Sequence, residues 1–315
     1  MTARVSSEMV CGFEAVVLEN RYLRAVIIPD LGGRVWELED RVRRRQWIWH
    51  RPDVPLQSMP PGSIYDDVWA GGWEELFPND APGEFEGRKL PDHGEWWAMR
   101  WTVASTAEGD IAELTLTAES TFVRAACVKK FRLASDEGTL SVTYSIRSKE
   151  DRPFHFLFKQ HLPIAVSPEC RLQLPGGRVE PVDPEFSSLL TSGEPFDWPS
   201  ASGAIHLQGI PPPSSRLQEF VYVSNLPEGW CGVEDRMAGA ALRMDFDRVG
   251  FPFVWLFLTY GGWRGLYTAV LEPCTNMPKD LAKAVERNQS AMLLPGQEFV
   301  TNVAVTLYGR TESAT

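Results

Sequence analysis

Residues 22–39 read YLRAVIIPDLGGRVWELE. Two runs of alternating side chains, 22–28 and 34–39, flank a break made by Pro29-Asp30 and Gly32-Gly33. Alternation with period two, closed by turn residues, is the pattern of an antiparallel hairpin with one buried face. Similar runs recur at 46–49, 96–105, 111–134, 139–147, 153–166, 219–224, 240–246, 252–258, 265–272 and 298–308. EGD at 108–110, SDEG at 135–138, PEG at 227–229 and PGQ at 295–297 separate them. Many short strands and little helix point to an all-β chain, a large antiparallel sandwich or a barrel. One helix is expected, in PKDLAKAVERNQ at 278–289. Pro278 suits a first helical position there, and Leu281, Ala284 and Val285 form an apolar stripe. No internal repeat or shift in composition divides the chain, so a single domain over 1–315 is expected.

The composition narrows the function. Among 315 residues, 42 acidic side chains against 31 basic ones leave a net charge of −11, with no basic excess to neutralise phosphates. Nucleic acid is therefore a poor partner. The dense basic run RVRRR at 41–45 sits between two strands and reads as a solvated hairpin tip. The five cysteines are scattered and never fall at metal-ligand spacing, which argues against a disulfide framework and a zinc site. The N-terminal segment lacks the pattern of a secretory signal. The most apolar run, GFPFVWLFLTYGGW at 250–263, is too short to cross a bilayer. These features lead us to expect a cytoplasmic protein, monomer or homodimer, with no membrane partner and no cofactor.

Two irregular stretches, 51–92 and 175–215, are long for connections in a compact fold, which suggests function in the first and a flap or surface insertion in the second. The first runs into LPDHGEWW at 90–97, where His93 precedes a glycine and two tryptophans. That histidine reads either as part of a ligand site or as a turn residue capping backbone groups. In PFHFLFKQHLPIAV at 153–166, Phe154, Phe156 and Phe158 alternate with the side that carries Lys159 and His161, which is either a site or a polar outer face. Glu272 ends the apolar strand LYTAVLE; it must be paired, protonated or exposed as the strand exits. Two histidines and a glutamate at strand ends make an acid–base set. No serine sits in a nucleophile elbow, and no local spacing supports a metal site.

In chain order, LGGRVWEL at 31–38, GGWEELFPND at 71–80, LPDHGEWW, FKQHLPI at 158–164, VLEPCTNMP at 270–278 and LLPGQEF at 293–299 resemble the aldose 1-epimerase, or galactose mutarotase-like, superfamily. The resemblance spans nearly the whole chain. It implies a large antiparallel β-sandwich (a supersandwich) with an open sugar cleft on one sheet, and a small carbohydrate as partner. It also implies interconversion of α and β anomers by acid–base ring opening, with Glu272 as base, His161 as acid and His93 polarising the ring oxygen. Trp73, Trp96 and Trp255 are candidate stacking faces for the sugar. Arg34, Asp92, Lys159 and Gln160 are candidate contacts to hydroxyls or an anionic group. Gln160 stands where true galactose mutarotases usually carry Asn, and Pro273-Cys274-Thr275 where Pro-Gln often follows the glutamate. The sugar is thus left open, neutral or anionic. Two other classes stay in view: a non-catalytic carbohydrate-binding protein on this fold, and an isomerase or lyase acting on a modified sugar.

Overall fold

The computed structural model describes residues 2–60, 62–201 and 205–309. Residue 61 of the stretch 51–92 and residues 202–204 of the stretch 175–215 lie outside the described residues. The chain opens with a five-stranded antiparallel meander of Arg4–Val10, Phe13–Glu19, Leu23–Ile28, Arg34–Asp40 and Arg45–Gln46. The hairpin expected at 22–39 forms its third and fourth strands, with Ala25 opposite Leu38. An eight-stranded sheet follows, in which Thr139–Ser148 lies between Ala125–Ala134 and the long strand Glu298–Gly309.

The third large sheet carries the functional side chains. Its seven strands run in the order Phe196–Asp197, Arg178–Pro181, Leu217–Ser224, Phe253–Tyr260, Tyr267–Cys274, Lys159–Ile164 and Glu74–Leu76. Its inner face contributes Leu162, Val221, Val223, Leu256, Leu258 and Leu271 to one buried cluster with Leu114, Phe131, Val142 and Tyr144 of the eight-stranded sheet. Each such side chain buried contributes on the order of 1.5–3 kcal/mol. This is a β-sandwich, one of the two forms the alternation left open and the one the resemblance implied.

Because side chains alternate, burying Leu256 and Leu271 turns Trp255, Phe257, Val270 and Glu272 to the outer face. Register then aligns them across strands. Glu74 pairs with His161, Leu162 with Leu271, Trp255 with Glu272, and Tyr222 with Trp255. Glu74, His161, Glu272, Trp255 and Tyr222 therefore form one row across the outer face.

The structure differs from several sequence expectations. The run 111–134 is two strands, Ile111–Ser120 and Ala125–Ala134, joined by a turn. The run 96–105 begins as the 3₁₀ turn Trp96–Ala98 before the strand Thr102–Ala107. The run 153–166 contributes Phe154–Phe156 and Lys159–Ile164 to different sheets. The strands Arg4–Val10, Phe13–Glu19 and Trp230–Asp235 were not expected. The helix near 278–289 is short, Leu281–Glu286, and Pro278 precedes it. Asp280 is the cap that decides its start: its side chain accepts the Lys283 N–H, and Leu281 and Ala284 bury the inner stripe. A second short helix, Tyr65–Val68, lies inside the irregular stretch 51–92. No helix among the described residues is long and apolar enough to cross a membrane.

Candidate active site

A cavity of about 250 Å³ opens on the outer face of the seven-stranded sheet, and Glu272, His161, Lys159 and His93 all line it. The strand pairing explains the first three. Lys159 and His161 alternate with Phe158 and Gln160, which point inward, and Glu272 sits on the neighbouring strand. Glu272 Oε1 is 3.5 Å from His161 Nε2, and Glu272 Oε2 accepts a bond from Lys159 Nζ at 2.8 Å. Lys159 also donates to Asp80 Oδ2 at 2.6 Å and sits 4.3 Å from the ring centre of Trp255.

His93 arrives from the loop. It and Gly94 both take positive φ, 59° and 68°, which turns the chain sharply beneath the cavity. The His93 N–H donates to the Asp80 carbonyl at 2.8 Å, and Glu95 N–H to the Phe77 carbonyl at 2.8 Å. Glu95 fixes the other side of the turn by accepting the Thr121 and Phe122 N–H groups at 2.9 and 3.1 Å. The imidazole stacks on Tyr65, ring centres 4.1 Å apart, and its Nδ1 is 2.8 Å from Asp92 Oδ1. Nε2 is then the ring nitrogen available to a ligand.

A buried chain of polar groups holds His161. Arg34 pairs with Glu74, Glu74 accepts the Tyr65 hydroxyl proton, and the Tyr65 oxygen lies 3.2 Å from His161 Nδ1. With the Tyr65 proton committed to Glu74, the hydrogen-bond network assigns the neutral imidazole's proton to Nδ1. Its Nε2 lone pair then faces Glu272.

These surroundings set the charges. Burial opposes an ionised Glu272 and raises its pKa, with Asp80 adding to the effect and Lys159 working against it. Burial also pushes the His161 pKa well down, helped by the cations Lys159, His93 and Arg34. For His93 burial works the same way, but the Asp80 and Asp92 carboxylates outweigh it, and its pKa is raised. Asp80 is held below the usual range because Lys159 and His93 overcome the penalty of burial.

The other residues singled out from the sequence are placed elsewhere. Trp73 and Trp96 are buried in the sandwich core, and Gln160 accepts from Trp73 Nε1 at 2.8 Å and lies 3.1 Å from the Tyr144 oxygen on the inner side of the sheet. Trp255 is fully buried beneath Lys159, with its Nε1 donating to the Asn276 carbonyl at 2.9 Å. Arg34 is taken by Glu74 and by the Gly71 carbonyl at 2.7 Å. Asp92 accepts the Tyr65 N–H at 2.8 Å and orients His93. None of these six lines the cavity. The aromatic walls are instead Trp69, Phe220, Phe257 and Trp263, and the stretch 175–215 contributes Asp183 and Phe186. Phe257 and Phe220 share the outer face with Glu272, so the strand alternation carried a signal for them once the register was known. Among the described residues, no group of three or more His, Cys, Asp or Glu side chains is arranged to hold a metal ion.

No family model matches the chain. Its architecture is the galactose mutarotase-like fold, shared with solved structures along nearly the entire chain. A galactose mutarotase-like protein from Clostridium acetobutylicum aligns over 98% of this chain and 99% of its own, with a TM-score of 0.72 and 14% identity. A candidate aldose 1-epimerase from Klebsiella pneumoniae aligns over 95% and 80%, with a TM-score of 0.72 and 14% identity. Another from Escherichia coli K12 aligns over 93% and 98%, with a TM-score of 0.67 and 18% identity.

Proposed function

We propose that the protein is an aldose 1-epimerase-like isomerase that interconverts the anomers of a sugar with no anionic group. The observation that carries this reading is the convergence of Glu272, His161 and His93 on one cavity, with Glu272 Oε1 3.5 Å from His161 Nε2. Glu272 takes the proton of the anomeric hydroxyl while an imidazolium protonates the ring oxygen. The bond between C1 and the ring oxygen breaks to give the open aldehyde. Rotation about C1–C2 and the reverse proton transfers close the other anomer. Positioned acid–base groups of this kind contribute roughly 10²–10⁴ each to the rate.

The resemblance assigns the acid to His161. The electrostatics favour His93, because Asp80 and Asp92 stabilise its cation while burial and nearby cations disfavour that of His161. We therefore place the acid on His93 and keep His161 neutral, with its Nε2 lone pair an acceptor beside Glu272. The lining also bears on the sugar. Four carboxylates, Asp66, Asp80, Asp183 and Glu272, face two lysines, Lys159 and Lys279, and the His93 imidazolium, and Lys159 is already shared by Asp80 and Glu272. An anionic sugar would meet repulsion there, whereas hydroxyls find acceptors.

The test is an NMR exchange measurement of anomer interconversion over neutral, amino and anionic sugars. Acceleration for a neutral or amino sugar supports the reading. Binding without acceleration favours a carbohydrate-binding protein, and acceleration confined to anionic sugars contradicts the substrate class.

A further inference from the structure

A second cavity, of about 420 Å³, lies on the opposite face of the same strands. Glu219 and Leu258 line it, whereas their chain neighbours Phe220 and Phe257 line the first cavity. Register pairs Glu219 with Leu258 and Leu217 with Tyr260, so these four side chains form one patch at the end of the sandwich interior. Leu189 and Ile210 complete a wall that is mostly hydrocarbon.

Of the polar side chains on it, Tyr260 and Glu219 are buried. The Tyr260 hydroxyl is buried and has no hydrogen-bond partner among the described residues. Glu219 is 2% exposed; one carboxylate oxygen accepts the Leu189 N–H at 2.6 Å, and the other makes no well-formed hydrogen bond among the described residues, although the Ser187 hydroxyl and the Ser188 and Leu190 N–H groups lie near enough to favour its charge. Arg171 and His206 also border the cavity; Arg171 Nη1 donates to the Pro168 and Cys170 carbonyls at 2.8 and 2.7 Å, and no ion pair joins either to Glu219 among the described residues. Buried polar groups are nearly always satisfied, and leaving them unpaired is costly.

We propose that this cavity binds a small ligand with a hydrocarbon body and one protic head, a hydroxyl or an ammonium, that meets Glu219 and Tyr260. Either head donates to the Glu219 carboxylate. A hydroxyl also accepts from Tyr260, while an ammonium donates to the Tyr260 oxygen as well and compensates a buried carboxylate that lacks an ion-pair partner among the described residues. The body covers Leu217, Leu258 and Ile210. The inference does not depend on the sugar chemistry of the other face.

The test is a titration of the full chain with cyclohexylmethanol, cyclohexylmethylamine and methylcyclohexane, followed by NMR of the leucine and isoleucine methyl groups. The headed probes should bind at least tenfold more tightly than methylcyclohexane, with shifts centred on Ile210 and Leu258, and the tighter of the two identifies the head. Tyr260→Phe should weaken the tighter headed probe several-fold and leave methylcyclohexane unchanged. It should not lower Tm, since the hydroxyl it removes has no partner. Equal binding of all three probes, no binding of either headed probe, or a Tyr260→Phe protein with a lower Tm would overturn the proposal.

Discussion

Lys159 Nζ lies 2.8 Å from Glu272 Oε2, and each side chain is only 2% exposed, so the carboxylate proposed as the base is also one end of a buried ion pair. Asp80 shares the same ammonium at 2.6 Å. Lys159→Met should leave two buried carboxylates without their cation, at a cost of about 3–5 kcal/mol in unfolding free energy. It should also raise the Glu272 pKa further, moving the acid limb of the pH–rate profile upward. Urea denaturation and kcat/KM against pH measure the two effects. An unchanged midpoint and an unchanged limb would show that the pair is not what holds Glu272.

The two histidines should give stability opposite slopes on either side of pH 6.5. The folded-state pKa of His161 is well below 6.5, so below that pH the unfolded chain binds the extra proton and stability falls as pH falls. The folded-state pKa of His93 is above 6.5, so its contribution is fully present below 6.5 and is lost as pH rises through the raised value. His161→Gln should flatten the first slope and His93→Gln the second, read from denaturation midpoints between pH 5 and 8. If His161→Gln instead removed the alkaline slope, the proton assignment in the site would be reversed.

Gly94 holds the turn that delivers His93. A Cβ there would come within 2.2 Å of the Phe77 carbonyl oxygen, a backbone atom with nowhere to go, and φ is 68°. Gly94→Ala should therefore cost more than the roughly 1–3 kcal/mol of backbone strain alone and should displace His93. Thermal unfolding and turnover should fall together. A variant with wild-type stability and turnover would mean that the turn is not needed to present His93.

Much of this architecture was legible in the sequence, because alternation states which residues share a face. It placed Lys159 and His161 on the side opposite Phe154, Phe156 and Phe158, and the structure has those two side chains lining the cavity with Glu272. Register was not legible, and register decides which outward side chains become neighbours. Trp255 and Phe257 both face outward, yet Trp255 is covered by Lys159 while Phe257 reaches the cavity. Adjacent carboxylates show the same limit. Glu74 turns to the outer face and Arg34, while Glu75 turns inward to accept the Tyr144 hydroxyl at 2.6 Å. Asp80 ends the stretch GGWEELFPND, but only the fold brings it to Lys159. Tyr65 lies in an irregular stretch whose short helix has no strong periodic pattern.

Trp96 and Trp263, one in the core and one on the cavity wall, should behave differently on substitution. Trp96 is fully buried in the core, so Trp96→Ala should cost about 3–5 kcal/mol of stability. Trp263 is partly exposed on the cavity wall, and Trp263→Ala should leave Tm within a few degrees while raising the sugar KM several-fold. Calorimetry and steady-state kinetics separate the two. A large loss of stability at Trp263 with no change in KM would assign it to packing alone.

The most direct measurement is the rate of anomer interconversion by Glu272→Gln, alongside its sugar affinity. The substitution keeps shape and a hydrogen-bonding oxygen but removes the proton acceptor, and it leaves Lys159 paired with Asp80. The expected result is a fall in kcat by a factor of about 10² or more, equivalent to at least about 2.7 kcal/mol of barrier. Sugar affinity should change far less. Wild-type turnover in a folded Glu272→Gln protein would contradict the acid–base assignment at its centre.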